Sequence, residues 1–128
     1  MSAPDPDLIH PFLPSGEWSG FYLYGEGAAS PRHDMDMWMK FTAAGIDGSG
    51  MDDVGFFTWQ GTYQLESMTC SIMKFYSSHQ VDYRGHIDEN GIWGQWTLGP
   101  IQGGFHLWPK KQAAERQEDV AKEVIPFS

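Results

Sequence analysis

From Gly16 to Pro109 the chain is a succession of short alternating runs, each broken by Gly, Asp or Asn. This texture predicts eight strands, at 17–25, 35–43, 45–50, 54–65, 67–76, 78–87, 91–98 and 103–109. Most links between them are too short for a parallel crossover, so neighbours pair antiparallel. Only 26–34 reads as a substantial loop, whereas Asp88-Glu89-Asn90-Gly91 is a hairpin turn whose Asn and Gly tolerate positive φ. An open sheet of this kind would leave two unpaired edges, and closing it removes both. Eight strands enclose an interior that is either filled by side chains or holds one small ligand. The expected fold is all-β, an eight-stranded antiparallel up-and-down β-barrel over 16–109.

The flanks differ in character. Residues 1–15 hold four of the eight prolines, Pro4, Pro6, Pro11 and Pro14, and read as an extended arm. Leu8, Ile9, Phe12 and Leu13 could dock it on the barrel. In 110–128 Gly is absent and Ala and long charged residues dominate until Pro126, which predicts a short C-terminal helix or tail.

Within the barrel the alternation assigns faces. Met35, Met37, Met39 and Phe41 share one side of their strand, a soft stripe that suits a core. His79, Val81, Tyr83 and Ile87 share a side that Val81 and Ile87 mark as interior. Strand 67–76 offers two choices: Cys70, Ile72, Lys74 and Tyr76 inward, or Thr69, Ser71, Met73 and Phe75. The adjacent Phe56 and Phe57 suggest a bulge or a covered outer face in 54–65.

Composition excludes several classes of function. The formal charge of −9 repels phosphate backbones and anionic lipid, so neither nucleic acid nor membrane is an expected partner. No apolar stretch approaches the ~20 residues of a membrane-spanning helix. A single cysteine, Cys70, supports neither a disulfide framework nor a Cys-rich zinc site, and mid-strand it reads as a small buried residue. His10, His33, His79, His86 and His106 form no metal-binding pattern, and Gly45–Asp53 lacks the spacing of a calcium loop. No phosphate loop, dinucleotide fingerprint or nucleophile elbow occurs, so no metal or cofactor is expected. Asp47, Asp52, Asp53, Asp88 and Glu89 read as solvated loop charge. The first residues lack the basic and apolar regions of a signal peptide, which predicts a cytoplasmic setting.

Four segments carry a family likeness. Gly16-Glu17-Trp18 opens the first strand as a G-x-W signature, and Gly61-Thr62-Tyr63 repeats as G-x-Y. Tyr83-Arg84-Gly85 and Ile92-Trp93-Gly94-Gln95-Trp96-Thr97-Leu98 follow in order. In this the chain resembles the calycin superfamily of lipocalins, fatty-acid-binding proteins and avidins. The resemblance implies that Trp18 plugs one barrel end and that the other admits a small ligand. Ser19-Gly20-Phe21 after Trp18 depart from the polar cluster with which avidins hold biotin, so biotin is not the implied ligand.

The candidate ligand contacts are His79, Tyr83, Lys74, Trp59, Tyr22 and Trp96. His79 and Tyr83 combine an apolar body with a polar tip and form a natural acid/base or hydrogen-bonding pair. Lys74, if inward, needs an acidic partner or an anionic ligand; otherwise it snorkels at the rim. The aromatic rings supply flat area at little entropic cost. The leading expectation is non-catalytic binding of a small, largely apolar molecule. One alternative is a cofactor-independent isomerase or cyclase using His79 and Tyr83. Another is an oligomerising interaction module with an outer patch of Trp38, Trp93 and Phe56, which would also fit a homo-oligomer.

Overall fold

The computed structural model describes residues 6–24 and 31–110. Eight strands run in chain order: β1 (Gly16–Leu23), β2 (Arg32–Thr42), β3 (Gly45–Met51), β4 (Phe56–Gln64), β5 (Thr69–Phe75), β6 (Gln80–Asp88), β7 (Gly91–Leu98) and β8 (Ile101–Pro109). Each pairs antiparallel with its predecessor, and β8 returns to β1, so the sheet is a closed up-and-down barrel. The long loop is shorter than its sequence suggests: Arg32 and His33 already pair with Leu23 and Tyr22.

Alternation places every second side chain inside. From β2 these are Met35, Met37, Met39 and Phe41; from β6, Val81, Tyr83 and Ile87; from β7, Ile92 and Trp96. On β5 the inward set is Cys70, Ile72 and Lys74. Strand β4 carries no bulge. Phe57 lies opposite Gly50 and points inward, while Phe56 lies opposite Met51 and is 61 % exposed. The adjacent phenylalanines therefore split between core and surface, contrary to the expectation of a bulge or a covered face.

The two ends of the barrel differ. At one end the N-terminal arm lies across the opening: Leu8 N–H donates to Phe41 O at 2.9 Å and Ala43 N–H to Pro6 O at 3.1 Å. Leu13 is fully buried there beside Trp18, whose indole N–H donates to Pro14 O at 2.8 Å. Trp18 packs on Phe41 with ring centroids 5.3 Å apart, so this end is closed by arm and core together. The other end carries the β1–β2, β3–β4, β5–β6 and β7–β8 connections and forms the mouth.

Gly91 opens β7 at φ +111, and a Cβ there would meet Leu107 O at 2.0 Å. Only glycine satisfies both the turn and the close approach of β8. The expected C-terminal helix lies outside the described residues, as does most of the 26–34 loop.

Candidate functional site

A cavity of about 130 Å³ opens at the mouth. Its walls are mainly aromatic, from Tyr22, Tyr24, Tyr76, Tyr83 and Trp96, with Val81, Leu98 and Ile101 adding apolar area and His79 at the rim. Trp96 is fixed by its N–H donating to Leu23 O at 2.9 Å.

Behind this wall sits Lys74, fully buried on the inner face of β5. Its ammonium pairs with Asp52, whose side chain is likewise fully buried. The remaining two donors reach Met35 Sδ at 3.2 Å and Tyr83 Oη at 3.4 Å. Rings surround the cation: Phe57 at 4.2 Å, Tyr76 at 4.8 Å, Tyr22 at 5.0 Å, Trp59 at 5.4 Å and Tyr83 at 5.5 Å to the centroids. These fall within cation–π range and partly replace lost hydration. Burial nonetheless outweighs Asp52 and Asp53, and pulls the Lys74 pKa down to about 8.

Asp52 stands on the β3–β4 turn and is engaged on both oxygens. One accepts from Lys74 and from the Tyr76 hydroxyl. The other accepts from Val54 N–H at 2.8 Å and Gly55 N–H at 3.2 Å, which holds the turn in shape. Its neighbour Asp53 accepts from the Tyr22 hydroxyl and from His33 Nδ1–H at 2.6 Å. Burial raises the Asp53 pKa, but these two donors lower it more, and the net position is below the ordinary value. His33 stacks on Tyr22 at 4.8 Å.

Burial first, and then the nearby carboxylates, push the Tyr22, Tyr76 and Tyr83 pKa values well above the usual phenol range. All three therefore remain O–H donors at neutral pH. The adjacent carboxylates thus orient two tyrosines of the cavity wall, and the lysine contacts the third.

Of the residues singled out from sequence, Tyr22, Tyr83, Trp96 and His79 line the cavity, and Lys74 and Trp59 pack behind it. His79 requires correction. It precedes β6, is exposed, and lies beside Ser78 Oγ at 2.8 Å and the Tyr76 ring at 4.8 Å. The alternation of β6 begins one residue after it, so the imidazole stands at the rim rather than inside the barrel. No hydrogen bond joins it to Tyr83 among the described residues. Lys74 does not snorkel, because Asp52 meets it inside.

Sequence reasoning missed Asp52, Asp53, Tyr76 and Tyr24. Reading Asp52 as solvated loop charge was wrong, because its side chain turns into the barrel. A usable signal existed: a lysine on an inward face demands an acid, and Asp52-Asp53 occupy a turn at the same end.

On the outside, Trp38, Met51 and Phe56 border a groove with Glu17, Asp36 and Lys110. Trp93 is not part of it. It lies on β7, bonded to Asp88, so the expected outer patch divides. Among the described residues, no group of three His, Cys, Asp or Glu side chains is placed to hold a metal. Comparison with protein-family models, curated proteins and solved structures finds no match. The closed eight-stranded antiparallel barrel itself is consistent with a calycin-like fold.

Proposed function

We propose that this chain binds one small, largely apolar molecule in the mouth of its barrel, without covalent chemistry. The carrying observation is the aromatic cavity of about 130 Å³, backed by a polar cluster whose carboxylates are already engaged. Size decides the ligand class. Drug-sized ligands occupy roughly 300–1,000 Å³. An apolar void of about 150 Å³ accommodates benzene. The cavity therefore suits a single six-membered ring and not a sterol or a long acyl chain.

Rigid aromatic walls favour this reading, because they offer contact area with little ordering cost. Titration of intrinsic Trp fluorescence with toluene, naphthalene and a sterol tests it. Saturable binding of toluene, weaker for naphthalene and absent for the sterol, is the expected order. Absence of saturable toluene binding, or toluene binding unaffected by Val81→Trp, would overturn the proposal.

A further inference from the structure

Two hydrogen-bond donors in the cluster behind the cavity have no acceptor among the described residues. The Lys74 ammonium is fully engaged by Asp52, Met35 Sδ and Tyr83 Oη. Asp52 accepts from Lys74, Tyr76, Val54 and Gly55, which fills its lone-pair directions. Tyr22 donates to Asp53, and Trp96 to Leu23 O. Two donors remain. The Tyr83 hydroxyl accepts from Lys74, but its own O–H has no acceptor among the described residues, although the residue is only 2 % exposed. The Trp59 N–H is buried and also lacks a partner, with its ring 4.8 Å from that of Tyr83. An unsatisfied buried donor costs about 1–3 kcal/mol, and one on a cavity wall can be satisfied by a ligand.

We infer that the cavity selects a neutral, single-ring molecule bearing one carbonyl-type acceptor, which receives the Tyr83 O–H. The inference rests on the binding reading above and adds the chemistry of the ligand. Tyr83 is the group suited to this contact because it lines the cavity while its oxygen accepts from a cation. Accepting from an ammonium polarises a hydroxyl and strengthens it as a donor. A ligand that must itself donate finds Asp52 filled and Asp53 outside the cavity lining. An anionic ligand meets Asp52 and Asp53 at the mouth of a chain of net charge −9.

Isothermal titration calorimetry with cyclohexanone and its hydrocarbon isostere methylenecyclohexane tests this on the full chain and on Tyr83→Phe. Loss of one neutral hydrogen bond corresponds to roughly 5- to 10-fold in affinity. Tyr83→Phe is expected to weaken cyclohexanone by that factor and leave methylenecyclohexane within about twofold. Equal effects on both ligands, or none on either, would overturn the acceptor assignment while leaving the binding reading intact. Failure of both ligands to bind the unmodified chain would overturn the binding reading itself, and this inference with it. Should Tyr83→Phe not fold, the infrared carbonyl stretch of cyclohexanone bound to the unmodified chain decides. A band below its position in hexane supports the hydrogen bond; an unshifted band refutes it.

Discussion

Asp52 and Lys74 form an ion pair from which solvent is fully excluded, one partner on the β3–β4 turn and the other on the β5 wall. Neutralising one member leaves the other stranded. Asp52→Asn leaves the ammonium without its counterion and is expected to cost about 3–5 kcal/mol. Lys74→Met is expected to cost less, because Asp52 keeps Tyr76, Val54 and Gly55 as donors. Urea denaturation of both variants checks the order, and a larger loss for Lys74→Met would contradict it.

The same pair sets a pH dependence. The folded pKa of Lys74 is about 8, below its unfolded value of 10.5. Between these, the unfolded chain holds a proton that the folded chain does not, so stability rises with pH from about 8. From the ordinary cysteine value of 9.0 the unfolded chain releases the Cys70 proton, and above the tyrosine value of 10.0 those of Tyr22, Tyr76 and Tyr83; the folded chain retains all of them, so stability levels off and then falls. Denaturation midpoints at stepped pH are expected to peak between the two, and Lys74→Met is expected to remove the rising limb. A flat or falling profile over that limb in the unmodified chain would contradict this.

Much of the barrel was legible because burial on one face imposes a two-residue period. All eight strands and the inward Met35–Phe41 stripe follow from it. The edges of that period were less legible. His79 continues the β6 alternation in sequence, but the chain turns before Gln80, and the ring leaves the interior. Which face of β5 points inward was open, since both faces carry apolar and polar residues. Asp52 was hidden for a different reason: its partner lies 22 residues away, and only the register of β3 to β5 brings them together.

Cys70 gives a simple probe of core integrity. Burial pushes its pKa up to about 12, and the side chain faces the interior. Its thiol is expected to resist a disulfide reagent at pH 8 in the folded chain and to react within seconds in denaturant. Prompt reaction without denaturant would place it outside the core.

Two turn glycines separate strain from crowding. Gly91 has φ +111 with Leu107 O in the way, whereas Gly99 has φ +59 with open space around it. Gly99→Ala is expected to cost about 1 kcal/mol, the ordinary cost of a left-handed residue. Gly91→Ala is expected to cost at least about twice that, because the β8 backbone must also shift. Thermal melts of the two variants give the comparison, and equal losses would contradict the close approach.

The most direct measurement is NMR of the aromatic side chains during titration with a single-ring ligand such as cyclohexanone. The expected result is saturable shifts at Tyr22, Tyr83 and Trp96, with Trp18 at the closed end and Trp38 in the outer groove unmoved. Shifts confined to Trp38 and Phe56, or no saturable shift at all, would contradict binding at the mouth.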